Sequence, residues 1–156
     1  MVTLEERLIA ALREKHLTIA TAESCTGGLT AKRLTDISGA SAAMLGGVVG
    51  YTNGVKERAL AVPRETLERY GAVSEETARA MAEGVAALTG ADLGLSVTGV
   101  AGPDRDDRGN PVGTVYIALA QKGEVTVQLL HLSGSRAEIR DAAADAMLSL
   151  ALTHIR

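Results

Sequence analysis

Ser24, in Thr21-Ala22-Glu23-Ser24-Cys25-Thr26-Gly27-Gly28, is the residue whose type and setting first suggest chemistry. The run Leu17-Thr18-Ile19-Ala20 delivers it onto a helix start expected at about Thr26. Unpaired N–H groups at a helix start favour a phosphate or a developing oxyanion, and the small Gly27 and Gly28 let backbone approach a bound group. This is one way to build an acyl-transfer site. The simpler alternative is a Ser24 or Thr26 hydroxyl that only caps the helix, with the glycines packing it against a strand.

A serine hydroxyl is not a nucleophile at neutral pH without a base in hydrogen-bond reach. His16, His131 and His154 lie away from every motif, which disfavours a Ser-His-Asp arrangement and leaves a Ser-Lys one. Lys56, in Tyr51-Thr52-Asn53-Gly54-Val55-Lys56, follows a Gly-rich strand and could be held near Ser24, where desolvation would ease loss of its proton. Its alternative state is a solvated helix residue paired with an acid. The Tyr51 phenol could relay a proton or hold the lysine, or simply pack. Cys25 is a rival nucleophile, but an extended chain turns it to the face opposite Ser24, as a buried thiol.

Two further constellations could bind. Thr98-Gly99-Val100-Ala101-Gly102-Pro103 ends an expected strand, where crevices of α/β sheets sit, and Thr114 in Pro111-Val112-Gly113-Thr114 begins the next; both could offer hydroxyl or backbone donors. The alternative is a turn that needs glycine for its dihedrals. Arg136 and Arg140 lie four apart on one helix face and could clamp a phosphate, or pair with Glu138 and Asp141 on the surface. The run Asp104-Arg105-Asp106-Asp107-Arg108 fails as a calcium loop, because Arg108 and Val115 stand where oxygen ligands are needed.

The elements that must position these residues follow from periodicity. Leu4, Leu8, Ala11 and Leu12 give an amphipathic helix, then a strand near 17–22 and a helix from about Thr26 to Ile37. Leu45–Thr52 reads as a strand, Asn53 caps a short helix through Ala61, and Pro63 restarts one through Tyr70. Ser74 opens an Ala-rich helix to Thr89. Strands at Leu93–Thr98, Val112–Lys122 and Val125–Leu132 follow, the last two joined by a hairpin turn at Gly123-Glu124, and residues 135–155 form a final helix. Helices alternating with strands plus one hairpin predict a three-layer α/β/α domain with a mixed sheet, spanning residues 1–156 as one unit.

Composition narrows the function. A net charge of −3 opposes an extended nucleic-acid footprint, and the absence of Phe and Trp, with three Tyr, removes stacking platforms for bases. No leader-like or membrane-spanning run is present, which predicts a soluble, cytoplasmic protein without a membrane partner. One cysteine excludes an intrachain disulfide, and three scattered histidines suggest no metal site.

Taken together, Ala22–Gly28, Tyr51-Thr52-Asn53 with Lys56, Gly71-Ala72-Val73-Ser74, Ser96–Pro103 and Pro111–Thr114 resemble the CinA C-terminal domain family in order and spacing over nearly the whole chain. Stand-alone members include amidases that hydrolyse nicotinamide mononucleotide (NMN) to nicotinate mononucleotide and ammonia. The resemblance implies Ser24 as nucleophile, Lys56 with Tyr51 for its activation, and amides near Thr26 and Gly27 for the oxyanion. It further implies Thr98, Gly99, Gly102 and Thr114 as nucleotide contacts, Arg140 and Arg136 at the 5′-phosphate, no metal or organic cofactor, and a homodimer or larger homo-oligomer. A noncatalytic nucleotide-binding or regulatory domain of the competence/damage-inducible type is the competing implication. The chain departs from the family's usual pattern at Arg105-Asp106, where Gly-Gly is common, and at Ser135, where an acid or amide precedes the late arginine.

Overall fold

The computed structural model describes residues 1–155. Alternation along the strands sets its layers, because successive side chains of a strand point to opposite faces. In β1 (Ile19–Glu23), β3 (Leu93–Gly99) and β4 (Thr114–Gln121), one face carries Ile19, Leu93, Leu95, Val97, Val115, Ile117 and Leu119. These bulky residues pack with Leu8, Ile9 and Leu12 of α1 (Leu4–Glu14), Leu34 of α2 (Leu29–Thr35) and Ile139, Met147 and Leu148 of α6 (Arg136–His154). Arg33 ties this layer together, 2.7 Å from Glu5 on α1 and 2.8 Å from Asp145 on α6.

The opposite face is built from small residues: Ala20, Ala22, Gly94, Ser96, Ala118 and Ala120. There α5 (Glu75–Thr89) comes close enough for the Ser96 hydroxyl to donate to the Ala78 carbonyl at 2.6 Å. The short helices α3 (Asn53–Leu60) and α4 (Arg64–Tyr70) complete that layer through Leu60 and Leu67.

Strand order is β2-β1-β3-β4-β5, with β2 at Met44–Val49 and β5 at Glu124–His131. β1 is parallel to both β2 and β3, whereas β3, β4 and β5 run antiparallel, which gives the mixed sheet of a three-layer α/β/α fold. The fully buried interior strand β1 therefore ends, at Glu23, beside the C-terminal ends of β2 and β3. No helix among the described residues is long and apolar enough to cross a membrane.

Among the boundaries that differ from the sequence expectation, three have a clear local cause. The second helix begins at Leu29, not Thr26, because Gly27 and Gly28 take φ of +62° and +102°, outside the helical region. Thr52, not Asn53, caps α3, its hydroxyl accepting the Val55 N–H. The hairpin turns at Lys122-Gly123, both with positive φ, one residue earlier than expected and as right-handed strand twist favours.

The α5 layer leaves no room to grow. A Cβ added at Gly84 would lie 1.8 Å from the Leu60 carbonyl oxygen, at the end of the helix that carries Lys56. Gly84→Ala is expected to lower stability by about 1–3 kcal/mol despite the better helix propensity of alanine, read as a fall in the urea midpoint with unchanged m.

Candidate active site

Ser24 follows β1 directly, its N–H donating to the Val97 carbonyl of β3 at 3.1 Å, so the nucleophile candidate is fixed to two central strands. Gly50, just past β2, donates to the Glu23 carbonyl at 2.8 Å and leads into α3. One turn into that helix stands Lys56, 1% exposed. Its Nζ lies 3.0 Å from Ser24 Oγ, 2.8 Å from the Gly50 carbonyl and 3.4 Å from that of Tyr51. Among the described residues no carboxylate pairs with it, which corrects the alternative of a solvated, acid-paired lysine.

Burial pulls the Lys56 ammonium down from 10.5 to about 8, because desolvation penalises the charged form. A neutral amine has two N–H groups and one lone pair. The ammonium donates to all three oxygens, and once it loses a proton two N–H groups can stay on the Gly50 and Tyr51 carbonyls while the lone pair turns to accept from the Ser24 hydroxyl. Cys25 is 5% exposed, and burial pushes its thiol up to about 11, so it stays protonated and a poor nucleophile at neutral pH.

Ser24, Lys56, Tyr51, Thr98, Gly102 and Arg136 border one cleft of about 270 Å³ at the strand ends, and Gly99 borders it too. The Tyr51 phenol does not reach the lysine; it accepts from Arg136 Nη2 at 3.1 Å, while the Tyr51 carbonyl holds Nζ. Arg136 also donates to the Gly102 carbonyl, tying the β2–α3 connection to the loop after β3. Ser135 caps α6 by a reciprocal pair of bonds with Glu138, which sets Arg136 at the first helical position. The Thr98 hydroxyl is spent on the Ala72 carbonyl at 2.7 Å.

Several expected contacts are not brought together. Thr114 does not border the cleft: the loop after β3 returns along its own strand, and Thr114 N–H and C=O are committed to Pro111 and Val100. Arg140 does not border it either; its Nε and Nη2 donate to the Cys25 and Thr26 carbonyls, each at 3.0 Å. The Gly27 N–H donates to the Ser24 carbonyl at 3.0 Å, and the Thr26 hydroxyl to Glu23 at 2.6 Å. An open helix start at Thr26 is thus corrected: in the first turn of α2 the Leu29 N–H donates to the Thr26 carbonyl, and the Thr30 and Ala31 N–H groups donate to the two Glu23 oxygens at 2.9 Å each.

Glu23 and the acids of the long loop escaped sequence reasoning. A carboxylate closing an otherwise apolar or hydroxyl-bearing strand, six residues before a helix, was the available signal for the first. Asp104 and Asp106 border the cleft together with Arg136, and Asp106 also folds the loop by accepting from Arg108 and Asn110. Arg108 donates to the last carbonyls of α4 at Leu67, Glu68 and Arg69, and Arg105 to Gly109, so the charged residues replace glycine flexibility with side-chain ties. No group of three or more His, Cys, Asp or Glu among the described residues could hold a metal ion.

The fold and the cleft define an α/β domain with a serine and a buried lysine at the carboxyl ends of parallel strands. The CinA C-terminal domain family matches residues 1–155, and the chain belongs to that family. A CinA-like protein of Syntrophomonas wolfei is 49% identical over 154 residues, 99% of this chain and 37% of that protein. One of Geobacter sulfurreducens is 49% identical over 142 residues, 91% of this chain and 34% of that protein. The chain therefore spans about a third of the length of the curated relatives it matches. Among solved structures, a competence/damage inducible protein of Agrobacterium tumefaciens has 40% identity and a TM-score of 0.92, covering 97% of this chain and 94% of that one. A competence or damage-inducible protein of Enterobacter asburiae has 33% identity and a TM-score of 0.95, covering 98% and 96%.

The lysine's burial is testable through stability. Between about pH 8 and 10.5 the unfolded chain holds a proton at Lys56 that the folded one has released, so stability rises with pH across that window. Relative to Lys56→Met, the wild type is expected to gain up to roughly 3 kcal/mol from pH 8 to 10.5 and to show no such gain below pH 8, measured by urea unfolding. A flat difference would place the lysine in water.

Proposed function

We propose that this domain is an amidase acting by serine–lysine chemistry on the carboxamide of NMN. The observation that carries the reading is the buried Lys56 Nζ, 3.0 Å from Ser24 Oγ and held by two carbonyls. As Ser24 Oγ bonds to the carboxamide carbon, Lys56 takes the hydroxyl proton and the carbonyl electron pair moves to oxygen. Collapse of the tetrahedral intermediate breaks the C–N bond, the proton passes from Lys56 to the leaving nitrogen, and ammonia departs. Water then attacks the ester with Lys56 again accepting a proton, nicotinate mononucleotide leaves and Ser24 is restored.

The developing oxyanion needs a donor near Ser24. The N–H groups of Cys25 and Thr26 make no backbone or side-chain hydrogen bond among the described residues and are the candidates, in place of Gly27. For the phosphate the cleft supports Arg136 alone, since Arg140 is bonded to backbone outside it. Tyr51 then serves by holding Arg136 rather than by moving the serine proton. The acids Asp104 and Asp106 suit the positive pyridinium ring of the same ligand. A homodimer or larger assembly in the cytoplasm, with no nucleic-acid or membrane partner, completes the proposal.

The test is ammonia release from NMN. Ser24→Ala and Lys56→Met are expected to abolish it with the fold intact, and kcat/KM of the wild type to rise with pH to a plateau above about 8 as Lys56 loses its proton. Binding of NMN without turnover by the wild type would turn the reading to a noncatalytic nucleotide-binding, regulatory domain. Separately, Arg136→Ala is expected to cost about tenfold or more in kcat/KM for NMN and much less for the unphosphorylated riboside, and equal losses on both would remove Arg136 from the phosphate.

A further inference from the structure

Between Ser24 and the start of α2 the chain is gripped from two sides by opposite charges. On one side Arg140, reaching from α6, donates to the carbonyls of Cys25 and Thr26. On the other, Glu23, 1% exposed, takes the Thr26 hydroxyl and the N–H groups of Thr30 and Ala31. The guanidinium comes so near that a Cβ at Gly27 would stand 3.1 Å from Arg140 Nη2, with φ already at +62°. Neither charged group pairs with the other; each is spent on the loop.

The direction of one amide follows from this grip. A trans peptide points its C=O and N–H in opposite directions. Binding the Cys25 carbonyl to Arg140 therefore turns the Thr26 N–H away from Arg140, which lies outside the cleft that Ser24 and Cys25 border. The same holds one peptide later, where the Thr26 carbonyl meets Arg140 and the Gly27 N–H, turned away, closes on the Ser24 carbonyl. Of the two turned amides, only that of Thr26 is left to donate.

We infer that Glu23 and Arg140 are positioning residues that fix the Cys25–Thr26 peptide as the oxyanion donor of the Ser24 reaction. This rests on the acyl-transfer reading of Ser24, and it replaces a phosphate role for Arg140 by one exerted through the loop. Neither residue touches the substrate. The α2 N-terminus in turn holds no external anion, since Glu23 fills it.

Each grip can be loosened alone. In Glu23→Gln one oxygen can still accept, but the new NH2 confronts an N–H that the lost oxygen satisfied. Thr26→Val removes only the hydroxyl tie, and Arg140→Lys keeps the charge while losing the two-pronged contact. Each variant would be compared with wild type for kcat and KM on NMN, for the pH midpoint of kcat/KM, and for the rate of Ser24 acylation by p-nitrophenyl acetate followed by intact mass, with folding checked by circular dichroism.

The expected result is a fall in kcat and in acylation rate of roughly tenfold to a hundredfold, with KM and the pH midpoint unmoved, and recovery to near wild type in Thr26→Ser. Folded variants that keep wild-type kcat and acylation would overturn the inference. So would an Arg140→Lys variant that raises KM for NMN at constant kcat, since that is the behaviour of a substrate clamp. If wild type is acylated at Ser24 yet releases no ammonia from NMN, the amide substrate is wrong, and the acylation rates alone decide the role of the loop. A wild type inert in both assays overturns both.

Discussion

Taking a lysine amine out of water is the constraint around which this molecule is organised. A buried ammonium is costly unless its charge is matched, and here carbonyl oxygens and a hydroxyl stand where a carboxylate would otherwise be needed. That choice matters chemically. A carboxylate partner would hold the proton on nitrogen, whereas neutral acceptors leave the amine free to lose it near neutral pH. The Gly50 and Tyr51 carbonyls can play this part because β2 has just ended, so their oxygens are not consumed by a neighbouring strand. Strand termination, helix start and the lowered proton affinity of the lysine are in this sense one structural event.

Much of the layer arrangement was legible in the sequence because it depends on short-range periodicity. Bulky residues alternate with Ala, Gly and Ser along much of β1, β3 and β4, and Ser74 marks the start of α5. The start of α2 was misjudged by three residues for a local reason: two consecutive glycines read equally well as close-packing residues or as left-handed turns, and only the folded chain shows the second. The pairing of Ser24 with a lysine emerged by elimination of histidine, and Lys56 was reachable because it follows a Gly-rich strand end.

The arginines were harder to read. Arg136 and Arg140 share a helix face, which makes them equivalent at the level of spacing, yet one looks into the cleft and the other into the turn below it. The difference is set by what each meets 34 to 115 residues away, and no local pattern encodes that. Glu23 was passed over for a related reason. A single acid before a candidate nucleophile looks like a surface residue until the chain turns back and aims two helix amides at it. Thr114 is the reverse case, a residue at a strand start whose backbone groups are absorbed by pairing with Pro111 and Val100.

The two faces of the sheet impose different rules on how this sequence can drift. Where Leu, Ile, Val and Met interlock between the sheet and α1, α2 and α6, one methyl group can be traded for another elsewhere, so many combinations fill the same volume. The central strands offer α5 no such currency of side-chain volume, the bulk there coming from Met81, Val85, Leu60 and Leu67: helix and strand meet almost backbone to backbone, as where Gly94 faces the Ala82 carbonyl and Ser96 bonds that of Ala78. Divergent copies of this domain should therefore accumulate compensated changes on one side of the sheet while the other stays confined to an alphabet of three or four small residues.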